Sequence, residues 1–169
     1  MRTRWTVHWK MHLLTALMAA AALGCCWHIY FDVALSAKPI RADGYGYHAY
    51  LPAVFIHHDL TLRTLERLHF PKGMEWWTGI HPYGPQGRLL DKYPCGVALL
   101  QTPFILAAHG LAKVRGWKAD GYSGVYQIAN VIAAVFFMCA GLNLLYYTAL
   151  RFCSSGAALT ATAGVALAT

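Results

Sequence analysis

Residues 121–150 read GYSGVYQIANVIAAVFFMCAGLNLLYYTAL, a run with no Asp, Glu, Lys or Arg. A helix needs about 20 predominantly apolar residues to cross the hydrocarbon core of a bilayer, and this run exceeds that. Leu13–Phe31, Tyr93–Ala112 and Phe152–Thr169 are likewise free of those four residue types. Within lipid, every backbone N–H and C=O must find its partner inside the segment, so such runs form helices and not open sheets. The expected fold class is therefore all-α: a multi-span integral membrane protein with about four hydrophobic helices.

Composition points the same way. Of the 169 residues, 57% are hydrophobic and 12% charged, and the mean hydropathy is +0.38. A soluble domain carries roughly 25% charged residues, so a water-soluble globule of this size would lack polar surface. The formal charge of +7 does not imply nucleic acid, because the basic residues sit in the caps and loops around apolar runs and do not gather on one polar face. Arg2, Arg4 and Lys10 precede the first run, and the positive-inside rule then places the amino terminus in the cytoplasm. Cys25, Cys26, Cys95, Cys139 and Cys153 lie in or beside apolar runs without metal-site spacing, and read as small core residues.

These signals divide the chain. Residues 1–12 are a cytoplasmic amino terminus, 13–35 a first span, and 36–92 an extracytoplasmic loop with amphipathic juxtamembrane helices. Residues 93–112 form a transmembrane or juxtamembrane helix, interrupted by Gln101, Pro103 and His109, and 113–122 a loop. A third span covers 123–150, and 154–169 is a fourth cut short. The chain then reads as the amino-terminal part of a longer protein. The first run also has features of a cleaved signal, with small residues at Ala34–Ala37 and a near-lipoprotein box at Ala22–Cys25, but it is long for a signal core of roughly 7–15 residues.

Chemistry is to be sought in the external loop, which holds Asp43, Asp59, Glu66, Glu75 and Asp91. There Tyr47, Tyr50, Leu51, Val54 and Phe55 recur at helical spacing, predicting an amphipathic helix at the interface that kinks or begins near Pro52. Asp59 to Leu68 predicts a second helix with an Asp cap. Three prolines and four glycines between Phe70 and Gly87 predict irregular loop, with Trp76 and Trp77 at headgroup level. His48, His57, His58, His69 and His81 also lie in the loop. Adjacent histidines such as His57 and His58 point to different faces of a helix, so a histidine metal cluster is not expected. His28 and Asp32, one turn apart near the outer end of the first span, are ionisable groups that either act in function or sit at the interface.

Two stretches stand out. In Arg41-Ala42-Asp43-Gly44-Tyr45-Gly46-Tyr47-His48-Ala49-Tyr50-Leu51-Pro52, an acid heads an aromatic helix just beyond the first span. Two roles are open to Asp43: capping the helix, or receiving a proton from a hydroxyl nucleophile or ligating a divalent ion. In Leu89-Leu90-Asp91-Lys92-Tyr93-Pro94-Cys95-Gly96, a lysine stands at the outer mouth of a hydrophobic helix. It either snorkels to the headgroups or neutralises the phosphate of a lipid-linked donor.

Together these stretches resemble the GT-C class of membrane glycosyltransferases, particularly bacterial relatives of protein mannosyltransferases and lipid A aminoarabinose transferases. Asp120-Gly121-Tyr122-Ser123-Gly124-Val125-Tyr126-Gln127 resembles a further segment of that group, so the similarity extends over nearly the whole chain. The resemblance implies a multi-pass enzyme of the bacterial inner membrane. It would move a sugar from a polyprenyl-phosphate donor to an acceptor on the extracytoplasmic face, with membrane lipids as its other partners and no nucleic acid. On that resemblance Asp43 activates the acceptor and Lys92, with Arg41 and Arg88, binds the donor phosphate; Tyr47 completes the binding set. A divalent cation is the one cofactor such a site would take. Two departures are visible: Gly44 and Gly46 occupy the neighbourhood where family members often carry a second acid directly after the aspartate and a basic residue shortly beyond it, and Tyr93-Pro94 replaces a double proline. The alternative is a non-catalytic multi-span protein, a transporter fragment or assembly subunit, for which Gln127, Asn130 and Asn143 are the polar residues within spans.

Overall fold

A computed structural model describes residues 2–28, 38–69 and 78–168. Six helices and one hairpin follow in chain order: α1 (Arg2–His28), α2 (Asp43–Phe55), α3 (Arg63–His69), β1 (Ile80–Tyr83), β2 (Arg88–Asp91), α4 (Gly96–Arg115), α5 (Gly124–Ala149) and α6 (Ser155–Ala168). The fold is mostly helical, as expected. Among the described residues, three helices are long and apolar enough to cross a membrane: Trp9–His28, Gly96–Arg115 and Gly124–Ala149. The interrupted run after Lys92 is thus a continuous helix of span length despite Pro103. It stops at Gly116, whose φ of 68° is the left-handed turn that closes a helix end, with the Trp117 N–H donating back to the Ala112 carbonyl at 2.8 Å. The last apolar helix, α6, has 14 residues, or about 21 Å at 1.5 Å per residue. That is shorter than a hydrocarbon core, so among the described residues length and composition support three spans.

The chain divides into two compact units, Met1–Ala34 with Ile132–Thr169 and Leu35–Val131. In the first, Met11, Leu142, Tyr146, Ala158 and Ala166 form the buried centre. There the small Ala158 and Ala166 of α6 pack among the larger Met11, Leu142 and Tyr146.

The second unit carries the residues expected to form the external loop. The stretch expected to be irregular contains a hairpin instead: Ile80 pairs with Asp91, and Tyr83 with Arg88. Its prolines and glycines are compatible with this for local reasons. Pro82 lies in a two-stranded ladder, where every strand is an edge and a missing N–H is tolerated. Gly84 and Gly87, at φ 71° and 58°, supply the turn. The remainder of the stretch, with Glu75, Trp76 and Trp77, lies outside the described residues, as do Asp32 and Ala34–Ala37.

α2 forms where expected, but not as a surface helix with one apolar stripe. Ala49 and Ala53 pack into a cluster with Ile40, Leu62, Leu65, Ile80 and Tyr122. Leu51 packs into another with Ala98, Ile105, Ala108, Tyr126 and Ala129. Val54 and Phe55 stay exposed. Burial on both sides follows from Gly46, Ala49 and Ala53, which present too little bulk to hold neighbours away. α3 starts at Arg63, later than the sequence indicates. Asp59 still serves its start: its two carboxylate oxygens accept from the Thr61 and Thr64 N–H groups, at 2.9 and 3.0 Å, and from both hydroxyls.

Candidate functional site

Asp43 opens α2. Ala42, just before it, has φ 45°, a left-handed conformation that a non-glycine residue holds only when its surroundings require it. Counting from Asp43, residues 46, 47 and 50 fall on the same helix face, and that face receives Tyr93. The Tyr47 and Tyr93 rings lie 4.3 Å apart between centres. The Tyr50 hydroxyl donates to the Tyr93 carbonyl at 2.7 Å.

The hairpin brings Tyr93 there. The Lys92 N–H donates to the Gly79 carbonyl at 3.0 Å, one step beyond the β1–β2 ladder, and the Tyr93 N–H donates to an Asp91 carboxylate oxygen at 2.9 Å. The ring then enters a slot between two glycines. A Cβ on Gly46 would overlap the Tyr93 ring and stand 2.7 Å from the Thr78 carbonyl oxygen; one on Gly79 would overlap the same ring and meet the Lys92 chain at 2.8 Å. Gly79 also has φ 72°, so both space and backbone require glycine there.

Asp43 and Lys92, far apart in sequence, both act on the Tyr93 hydroxyl. That oxygen is enclosed and makes no hydrogen bond of ordinary geometry. Burial raises its pKa and Asp43 raises it further, while Lys92 pulls it down. In turn the Tyr93 oxygen holds the Lys92 ammonium above the ordinary lysine value, with Asp43 and Tyr47 adding to the effect and desolvation opposing it. The Lys92 ammonium sits 4.8 Å from the centre of the Tyr93 ring, within cation–π range. Asp43 and Lys92 themselves remain exposed. Just behind them Asp91 is half-buried, and desolvation pushes its carboxyl up to about 6 against the pull of the Tyr93 N–H and Lys92.

The other side of α2 is clamped by the 120–123 turn. The His48 Nε2 donates to the Gly121 carbonyl at 2.8 Å, which makes Nε2 the protonated nitrogen and leaves Nδ1 buried without a partner. Gly121, at φ 85°, lies so close that a Cβ would be 2.7 Å from the Pro52 Cβ. Asp120 accepts from the Tyr122 and Ser123 N–H groups and pairs with Lys118 at 2.9 Å. The buried Gln127 accepts from the Ile40 N–H at 2.8 Å and donates to the Tyr122 carbonyl at 3.0 Å. Residues 41–52 and 120–127 thus hold each other.

Of the candidate residues, Asp43, Lys92 and Tyr47 come together. Arg41 is exposed two residues before Asp43. Arg88 is at the turn end of β2, roughly 13 Å of extended strand from Lys92, so the hairpin does not bring it to the pair. Sequence reasoning does not assign Tyr93, Gly46, Gly79 or Asp91 to the site; Gly46 and Tyr93 enter it only as departures from the family pattern. Among the described residues, no three His, Cys, Asp or Glu side chains converge to hold a metal ion. Compared with known proteins, the chain matches no family model, no curated protein and no solved structure.

Proposed function

We propose that Asp43 and Lys92 belong to the reaction centre of a GT-C-type membrane glycosyltransferase, which moves a sugar from a polyprenyl-phosphate donor to an acceptor on the extracytoplasmic face of a bacterial inner membrane. The observation that carries this reading is the convergence of an exposed carboxylate and an exposed ammonium on one enclosed tyrosine hydroxyl, a few residues before a helix of span length. A lipid-linked donor would present its phosphate at that level, with its sugar beyond the headgroups.

In the proposed reaction the acceptor oxygen attacks the anomeric carbon, and its proton passes to the Asp43 carboxylate. The bond from that carbon to the phosphate oxygen breaks, and the electron pair leaves with the phosphate. Lys92, a compact charge, stabilises the anion as it forms. Arg41 is close enough in the chain to assist, and Tyr47 offers a ring face to the sugar. Transport draws less support: Gln127 is spent on internal bonds, and Asn130 donates to Gln101 at 3.3 Å between two helices.

The test is Asp43→Asn in the protein expressed from its complete native reading frame, assayed in membrane vesicles with a radiolabelled polyprenyl-phosphate sugar. Transfer should fall by about 100-fold or more, the usual contribution of a general base, with membrane insertion unchanged. Full activity in the variant would remove Asp43 from the mechanism.

A further inference from the structure

The charged pair does not meet directly; it meets through Tyr93, and residue 93 is fixed at every other point. Its N–H is held by Asp91 and its carbonyl by Tyr50. Its ring is seated in the Gly46–Gly79 slot and against Tyr47. A side chain so constrained ends in a hydroxyl enclosed by protein, and the polar groups that act on it are the Asp43 carboxylate and the Lys92 ammonium. A phenol that served only to fill the slot would do so equally well as phenylalanine, and burying its polar oxygen without a partner is unfavourable. We propose that Tyr93 is a positioning residue: its hydroxyl orients the Asp43 carboxylate and the Lys92 ammonium relative to each other, and the two glycines exist to place that hydroxyl. The assignment rests on the glycosyltransferase reading for its consequence in catalysis, but not for the geometry.

The chemistry is that of a fixed dipole. A phenol donates its O–H to a carboxylate and offers its oxygen lone pairs to an ammonium, so one rigid group can serve both charges. Lys92 has a flexible four-carbon stem, and Asp43 stands at a helix start facing water. Without the phenol each is free to turn outward, and misplacement of reacting groups by even 1 Å costs rate steeply.

Two measurements on Tyr93→Phe in the membrane-embedded protein test this. The first needs no knowledge of the reaction: the rate at which a water-soluble acylating reagent labels Lys92 at alkaline pH, read by mass spectrometry with Lys118 as internal reference. Loss of the hydroxyl removes the group that holds the ammonium protonated, so Lys92 should label faster relative to Lys118 than in the parent. The second is transfer at saturating donor. Here kcat should fall on the order of 10- to 100-fold with KM for the donor changed far less, a split that loss of folded protein would not produce. Unchanged labelling, or kcat within about twofold of the parent, overturns the proposal, while an inactive Asp43→Asn beside it keeps the glycosyltransferase reading. Conversely, an active Asp43→Asn with accelerated Lys92 labelling in Tyr93→Phe overturns that reading and leaves the positioning geometry standing.

Discussion

His48 gives the sharpest quantitative prediction. It is fully buried, and burial lowers its pKa to about 4 from 6.5, the Gly121 carbonyl opposing only in part. In the unfolded chain the imidazole takes a proton as pH falls through about 6.5; in the folded chain it resists until about 4. Stability is therefore fully present above the unfolded value and is lost as pH falls toward 4. At pH 5 the unfolded ring is almost fully protonated and the folded ring about one-tenth so, which by linkage amounts to about 2 kcal/mol. Asp91, held up to about 6, acts with the opposite sign: its contribution is present at low pH and is lost as pH rises through about 6. Its partial exposure makes that contribution smaller. The comparison must therefore be between the parent and His48→Gln, where every other titration cancels. Gln retains an N–H for the Gly121 carbonyl but cannot titrate. Hydrogen exchange in residues 43–55, corrected for intrinsic rates, reports local opening. Between pH 7.5 and pH 5 it should accelerate in the parent by a factor larger than in His48→Gln by roughly thirtyfold, the equivalent of about 2 kcal/mol. Equal acceleration in the two proteins would refute the claim that the ring is buried neutral.

Two further substitutions probe the packing. Gly46→Ala ought to strengthen a helix by up to about 1 kcal/mol on propensity, yet the Tyr93 ring and the Thr78 carbonyl occupy the space. It should lower the thermal midpoint in detergent by an amount equivalent to about 1–3 kcal/mol, with partial recovery when combined with Tyr93→Ala. A raised midpoint for the single variant would mean the slot is not filled as described. Gln127→Leu leaves the Ile40 N–H buried and unpaired, at a cost of about 1–3 kcal/mol. Faster exchange of the Ile40 amide is the direct readout, and an unchanged rate would show the bond to be dispensable.

Much of this was legible in the residue order. Absence of charge from Leu13–Phe31, Tyr93–Ala112 and Gly121–Leu150 predicts three long helices because lipid tolerates little else. Asp43 and Lys92 stood out because a charge at the mouth of an apolar run needs a reason. The hairpin did not stand out: composition rich in proline and glycine marks turns, and the strands between those turns are too short to show alternation. Nor did the burial of α2, since Gly46, Ala49 and Ala53 carry their information in what they lack, and a search for apolar stripes passes over small residues. Tyr93 was hidden for a third reason. Its partners at 43, 46, 47, 50, 79 and 91 are dispersed over three elements, and no local spacing encodes such a meeting.

The two-glycine slot also governs when the cluster can come into existence. During synthesis the helix bearing Asp43 emerges well before the strand that carries the lysine, and no local contact can substitute for the missing ring. The acidic half therefore waits, unassembled, until the later segment has folded back across it. A nascent chain interrupted before that point would hold its carboxylate without its counter-charge, so any chemistry of the pair starts only once that fold-back is complete.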